Sequence, residues 1–156
     1  MSALAGPILD EFAIRVALED IADPEIPGVS IVDLGMVGTV EVSADRIRVD
    51  LLPTFVGCPA VELVRAAVTE RLATFGRSVD VRAGFTPTWT TDRISAVGRD
   101  RLRRSGFAPP ADPADLRCPY CGSDRTVMDA AFGPTPCRSL HYCRSCRQPF
   151  EAFKPV

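Results

Sequence analysis

The sequence predicts an α+β domain over residues 1–106, joined by a linker over residues 107–116 to a small metal-stabilised module over residues 117–156. Helical and strand periodicities alternate through the first two thirds of the chain. Five of the six cysteines lie within residues 118–156. The two parts also differ in charge, because residues 117–156 carry a net charge of +3, whereas the whole chain carries −2.

The first predicted element is a helix over Ile8–Ile21. Ile14, Leu18 and Ile21 lie on one apolar stripe, and Phe12 and Val16 lie beside it. The segment that follows, Asp23–Gly28, contains two prolines and a glycine. Such a segment cannot continue a helix, so we expect the helix to end before it.

A β-hairpin is predicted next. Val37–Val42 and Arg46–Leu52 each alternate apolar and polar residues, and the short polar segment between them is typical of a turn. A second helix is predicted to begin at Pro59, whose fixed backbone angle suits the first helical position, and to end before Gly76. A strand over Val79–Ala83 and a basic helix over residues 92–104 complete the order α-β-β-α-β-α.

The C-terminal part needs an additional source of stability. Residues 107–116 contain three prolines and are predicted to form a stiff linker. About 40 residues then remain, which is too few to bury an adequate hydrophobic core alone.

Two Cys-x-x-Cys pairs, Cys118/Cys121 and Cys143/Cys146, match the spacing of a four-cysteine zinc site. Each pair forms a turn whose backbone N–H groups point at the thiolates, and two such turns complete a tetrahedron around a structural Zn²⁺. Free thiols, a single iron or an iron–sulfur cluster on the same ligands are the alternatives.

Two further side chains lie near these pairs. Cys137 is interpreted either as a small buried apolar residue or as an extra thiol that takes part in metal or cluster exchange. His141, the only histidine, is expected to be a packed or surface ring rather than a ligand.

Cys58 is isolated in the sequence and stands just before Pro59, at the predicted start of the second helix. The helix dipole and unpaired N–H groups are expected to lower its pKa, which makes it a candidate reactive or metal-binding thiol; simple burial is the alternative. Asp23 and Glu25, made rigid by the neighbouring prolines, are candidate supporting carboxylates, although turn formation accounts for them equally well.

Several classes of function are excluded or disfavoured. The net charge of −2 and the pI of about 5.4 argue against a nucleic-acid partner. No apolar stretch approaches the ~20 residues that span a bilayer, and residues 1–7 do not have the pattern of a secretory leader. We therefore expect a cytoplasmic protein. The sequence has no phosphate loop or nucleophile elbow, so we expect no catalytic activity of its own.

Three segments together resemble the SufT/PaaD-type family of iron–sulfur assembly domains, over residues 8 to 106. They are Asp23–Val37, the loop Pro53–Pro59 and Trp89–Asp92. The resemblance implies the family's small α+β fold and makes Cys58 the best functional candidate, as a ligand for a transient iron or iron–sulfur cluster. Arg93 departs from the pattern of the PaaD-type members of this family, in which we expect an aromatic residue.

The C-terminal module narrows this resemblance to the PaaD-type members, small accessory subunits of the phenylacetyl-CoA epoxidase system. The resemblance implies a role in aerobic phenylacetate catabolism, with the oxygenase and reductase subunits as partners and a second copy of the chain as a further candidate. It implies help in loading or maintaining their iron or iron–sulfur centres. A redox-active or purely structural subunit is the alternative.

Overall fold

The computed structural model describes residues 9–156, which form two packed parts, the first with a two-stranded and a three-stranded sheet and the second with a four-stranded sheet. The first part contains α1 (Glu11–Leu18), β1 (Ala22–Asp23), β2 (Ile26–Ser30), β3 (Val37–Val42), β4 (Arg46–Leu51), α2 (Ala60–Ala73), β5 (Ser78–Ala83), a 3-10 helix (Thr91–Arg93) and α3 (Ala96–Arg104). The second contains β6 (Phe107–Ala108), β7 (Thr126–Ala130), β8 (Arg138–Cys143) and β9 (Pro149–Phe153). The predicted α+β class is confirmed.

The main sheet of the first part has the order β3-β4-β5. The predicted hairpin is present, with β3 antiparallel to β4, and α2 crosses over to place β5 parallel to β4. The helical spacing of Val61, Val64, Val68 and Leu72 predicted the buried face of α2. Because that face packs on the sheet, the loop before α2, which carries Cys58, lies at one end of it.

Helix α1 is shorter than the sequence predicted. It covers Glu11–Leu18, with Asp10 capping its first turn, whereas the prediction ran from Ile8 to Ile21. Ile8 itself lies outside the described residues. Phe12 and Val16 are exposed, at 74% and 45%, because only the stripe that contains Ile14 and Leu18 faces the sheet.

The segment after α1 was predicted only as a helix terminator, but it forms a small hairpin. β1 and β2 pair antiparallel, with Asp23 opposite Ile26. Asp23 Oδ1 accepts a hydrogen bond of 2.8 Å from the backbone N–H of Glu25, which closes the turn. The turn that was expected at Asp23 and Glu25 is therefore present, and it places both carboxylates in one hairpin.

The last helix begins at Ala96 rather than at Asp92. A 3-10 turn over Thr91–Arg93 precedes it, and the Ser95 hydroxyl caps its first turn through the N–H of Gly98. Sequence periodicity did not separate the two helical segments because both are polar. Nε of Arg93 donates a hydrogen bond of 2.9 Å to the carbonyl oxygen of Gly35, so this side chain is held by a polar contact at the position where an aromatic residue was expected.

The four-stranded sheet of the second part has the order β6-β9-β8-β7. Phe107 and Ala108, the first two residues of the predicted linker, form β6 and pair parallel with β9. Pro109 and Pro110 are buried as well. This segment therefore packs against the ribbon instead of spanning open solvent. The division of the chain at residue 106 remains a prediction.

The first and second parts of the chain pack against each other. Phe153, in β9, is buried in the hydrophobic core of the first part, and Cys137 packs against that same core. The N–H of Thr91 donates to the carbonyl oxygen of Val156 at 3.1 Å. Within residues 9–156, none of the helices has the length and apolar character that a bilayer span requires.

Candidate metal centre and thiol junction

The structure brings the four paired cysteines together into one cluster, which we call the cysteine cluster (Cys118, Cys121, Cys143 and Cys146). Their sulfur atoms all lie within 4.8 Å of one another. The Sγ atoms of Cys118 and Cys146 are 3.6 Å apart, as are those of Cys121 and Cys143. The pairs therefore interleave, each sulfur approaching one from the other pair.

Two equivalent turns build the cluster. The N–H of Gly122 donates to the carbonyl oxygen of Cys118 at 2.9 Å, and that of Arg147 donates to Cys143 at 2.8 Å. Both donors have positive φ, 74° for Gly122 and 60° for Arg147. The Oγ atoms of Ser123 and Ser145 lie 2.8 Å apart and join the turns directly. The residue after each Cys-x-x-Cys pair thus takes the same left-handed conformation.

Backbone N–H groups point at the first sulfur of each pair, as the spacing predicted. The N–H groups of Cys146 and Ser145 bond to the sulfur of Cys143 and lower its pKa to about 7. Burial, together with the neighbouring thiols, raises the pKa of Cys146 to about 12. A thiolate at one corner of the cluster therefore disfavours further ionisation at another while no cation is bound.

The donor set fits a tetrahedral metal ion. Zn–S bonds of about 2.3 Å require sulfurs about 3.8 Å apart, close to the 3.6 Å of the two nearest pairs. Four thiolates supply all four positions of such an ion. Cys118 and Cys143 are buried, at 2% and 0% exposed, whereas Cys121 is exposed and Cys146 is half-buried. The arrangement suits a structural site more than a catalytic one.

Cys58 lies in the loop before α2 and is half-buried. The predicted lowering of its pKa is wrong: burial raises the pKa, and the nearby carboxylates of Glu25 and Asp23 and the Cys137 thiol raise it further. The N–H of Ala60 at the start of α2 acts in the expected direction but is outweighed. Desolvation destabilises the thiolate of Cys58 by more than the N–H group at the start of α2 stabilises it.

Three residues that raise the pKa of Cys58, together with the arginine that faces their carboxylates, define the second site, which we call the Cys58 junction (Cys58, Asp23, Glu25, Cys137 and Arg138). Asp23 is buried, which raises its pKa, while Arg138 acts to lower it. Nη2 of Arg138 lies 3.8 Å from Oε2 of Glu25, and Nη1 lies 2.7 Å from Oε2 of Glu151. Asp23, Glu25 and Cys58 come from the first part of the chain, and Cys137 and Arg138 from the second.

The junction is not a preformed metal site. Among residues 9–156, no group of three or more His, Cys, Asp or Glu side chains other than the cysteine cluster has its ligand atoms close enough to hold an ion. Cys137 stays apart from the cluster, with its Sγ 3.2 Å from Oγ1 of Thr135. His141 is buried and stacks on Phe150 with ring centroids 5.5 Å apart, so the expectation of a packed ring is confirmed.

Sequence reasoning missed Arg138, which is 5% exposed and joins the two parts. Its Nε donates to Oγ1 of Thr135 at 2.8 Å, and its guanidinium lies over the ring of Phe107 at 5.3 Å. Arginine is rarely buried unless it is paired. Nothing in the local pattern marks it, because its carboxylate partners are Glu25 and Glu151, one of them far away in the sequence.

Comparison with known proteins matches both parts. Residues 104–154 match the family model of the PaaD zinc beta ribbon domain, and residues 11–83 match that of an iron–sulfur cluster assembly protein. The chain is 40% identical to a protein of Escherichia coli (strain K12) whose name describes it as a 1,2-phenylacetyl-CoA epoxidase subunit, over all of this chain and 98% of that one. The chain belongs to the PaaD family. The predicted zinc-ribbon module and assembly domain are those of PaaD proteins.

Solved structures resemble the first part of this PaaD-family chain. A domain of unknown function, DUF59, from Bacillus anthracis is 28% identical with a TM-score of 0.55, and covers 59% of this chain and 90% of its own. A conserved hypothetical protein from Thermotoga maritima, 24% identical with a TM-score of 0.51 and covering 60% of this chain and 94% of its own, shares the fold. Both likenesses support the α+β assignment.

Proposed function

We propose that this chain is a cytoplasmic accessory subunit of a phenylacetyl-CoA epoxidase, which helps to assemble or maintain the iron or iron–sulfur centres of its oxygenase and reductase partners. The name of the Escherichia coli relative and the assembly-domain match support the context. The Cys58 junction carries the proposal. It sets one half-buried thiol among negative groups, separate from the cysteine cluster.

The junction suits a transient cargo better than a resident metal. A raised pKa keeps Cys58 protonated at rest, so the thiol is protected from unwanted reaction. The carboxylates of Asp23 and Glu25 that disfavour a thiolate also favour a cation. An arriving iron ion or cluster displaces the thiol proton, binds the sulfur and gains from those charges. With few ligands close enough to hold it, the cargo leaves readily for a partner.

We propose that the cysteine cluster holds one structural Zn²⁺. The sulfur spacing and the complete four-thiolate donor set support zinc, and a second part of this size draws its folding energy from a metal. Elemental analysis of the purified protein tests this. We expect about one zinc per chain and no visible absorption. A red or brown protein that contains iron would mean that the cysteine cluster holds redox-active iron and not zinc.

The function is tested by expressing the chain with its oxygenase and reductase partners. Cys58→Ala should leave folding and zinc content unchanged but reduce the iron content of the partners and growth on phenylacetate. Cys118→Ala instead removes a zinc ligand and should unfold the ribbon, which separates the two sites. If Cys58→Ala leaves partner iron and growth normal, the cargo role of Cys58 is wrong, and a purely structural subunit is the better description.

A further inference from the structure

A cavity of about 340 Å³ lies in the second part and shares no lining residue with the Cys58 junction. One wall is a face of the ribbon sheet, with Thr126 and Met128 from β7, Ser139 and His141 from β8, and Ala152 from β9. The opposite wall is the proline-containing segment before the cysteine cluster, through Ala111, Pro113 and Leu116. The segment predicted as a linker therefore contributes one side of this half-open cavity.

The register of the strands explains why these side chains share one face. Ser139 is paired with Ala152, and His141 is paired with Met128 on its other side. Because side chains alternate along a strand, residues 139 and 141 point to the same side of the sheet. Small side chains at Ala152 and Ala111 leave the space that a larger residue would fill.

A buried polar pair lies in the cavity wall. Oγ of Ser139 is 2.8 Å from Nε2 of His141, and both residues are about 5% exposed. The Ser139 hydroxyl donates to the carbonyl oxygen of Ala152 at 3.4 Å as well, so this polar pair is satisfied within the protein. It presents no unpaired donor to the cavity, and the wall around it can be lined by the apolar body of a ligand.

The cavity has one cationic lining residue and no anionic one. Lys154, the only lysine in the chain, lines it directly after β9, and no Asp or Glu does. Nζ of Lys154 lies 3.9 Å from the ring centroid of Phe132, which is 71% exposed. Phe132 does not line the cavity, so this cation–π contact places the ammonium group at the solvent side of the cavity.

We propose that this cavity binds a small carboxylic acid, with its apolar body between the sheet and the proline segment and its carboxylate at Lys154. Its volume lies at the lower end of known ligand sites and corresponds to roughly eleven water volumes. That size admits a short acyl chain or a single ring. The apolar walls favour the hydrocarbon part of the ligand, and the ammonium group of Lys154 favours its carboxylate.

Hexanoate and its neutral isostere hexanamide serve as probes. Each is titrated into the zinc-loaded full chain and followed by amide chemical shifts. We expect hexanoate to shift residues of β7, β8 and the proline segment that line the cavity, and to bind more tightly than hexanamide. Absence of hexanoate binding, or shifts confined to residues outside the lining, overturns the proposal.

Lys154→Gln tests the carboxylate end. Removing the charge should weaken hexanoate about tenfold while leaving hexanamide unchanged, because only the anion loses a charge-assisted hydrogen bond. Arg144→Gln removes an exposed cation of the same module that does not line the cavity, and should change neither affinity. Equal losses in both variants would mean attraction by bulk charge and would overturn the site.

Ala111→Phe tests the apolar body. Ala111 is half-buried in the proline segment, so a phenyl ring there projects into the cavity without removing a core side chain. We expect a folded variant that binds neither probe. Full binding by a folded Ala111→Phe protein overturns the proposal, and if the variant does not fold, the Lys154→Gln comparison decides. These outcomes do not depend on iron delivery or on Cys58.

Discussion

The cysteine cluster and the Cys58 junction both contain cysteine thiols, but they assemble them differently. The cluster takes its four sulfurs from two tight turns, each made by four consecutive residues and held by its own backbone hydrogen bonds. The junction takes its groups from a hairpin turn, a loop before a helix and a strand of the other sheet. A local motif therefore builds a closed site, whereas tertiary packing builds an open one.

The two regions also differ in what sets their ionisation. Backbone N–H groups lower the pKa of Cys143 to about 7, as is expected of a sulfur that becomes a metal ligand. At Cys58, burial and neighbouring negative groups raise the pKa. Burial outweighs two backbone donors at Cys118, whose pKa is raised, so of these two sulfurs in the cluster only Cys143 has its pKa lowered by the N–H groups that surround it.

Loss of the metal should have the largest effect. Cys121→Ser removes one ligand from an exposed position, so little packing is lost with it. We expect β7–β9 to lose amide dispersion, because metal binding supplies about 10 kcal/mol or more of folding free energy to small zinc modules. Cys137→Ser, a thiol outside the cluster, is the matched control and should keep its spectrum. A dispersed ribbon in metal-free Cys121→Ser protein would show that the sheet folds unaided.

Arg138 is expected to give the next largest effect, on the junction side of the comparison. Arg138→Met leaves the partly exposed Glu151 without its cation at 2.7 Å, and losing such a charged partner costs about 1–3 kcal/mol of unfolding free energy. Urea denaturation measures this. Adding Glu151→Gln should recover part of the loss. A single variant as stable as the parent chain would mean that apolar packing, not the ion pair, joins the two parts.

The left-handed residues of the two turns should give a smaller effect, with opposite signs. Arg147→Gly should raise the unfolding free energy by about 1 kcal/mol, since glycine adopts positive φ without steric cost. Gly122→Ala should lower it by a similar amount. Thermal denaturation of the zinc-loaded variants measures both. A shift of the same sign in the two variants would contradict the equivalence of the turns.

The reactivity of Cys58 should show the smallest effect. Because its pKa is raised, Cys58 should alkylate more slowly near neutral pH than a free cysteine, and its rate should rise until the pH passes the raised pKa. Each pKa unit costs about tenfold in thiolate. Site-resolved mass spectrometry separates Cys58 from Cys137.

Glu25→Gln removes one of the negative groups and should speed alkylation of Cys58. Glu19→Gln, an exposed carboxylate on the residue that ends α1, serves as its control and should not. Faster alkylation of Cys58 in the parent protein than in a free cysteine would instead restore the helix-dipole interpretation.

Much of the fold was predictable because it rests on local patterns. The alternation in β3 and β4 and the helical spacing in α2 identified elements that the structure contains. The end of α1 and the start of α3 were predicted at the wrong residues. At both ends, contacts with residues distant in sequence, and not local periodicity, set the backbone conformation. β6 was missed since two residues carry no periodicity, and only their pairing with β9 makes them a strand.

By itself, the sequence determined the cysteine cluster and the family, because ligand spacing within a few residues and a run of signature segments are properties of the chain alone. The tertiary structure alone decided the environment of Cys58, the role of Arg138 and the cavity beside Ser139. Each depends on residues that are distant in sequence meeting at one place. Burial and Coulomb interactions act through space, and so their sign at Cys58 could not be taken from its neighbours in the chain.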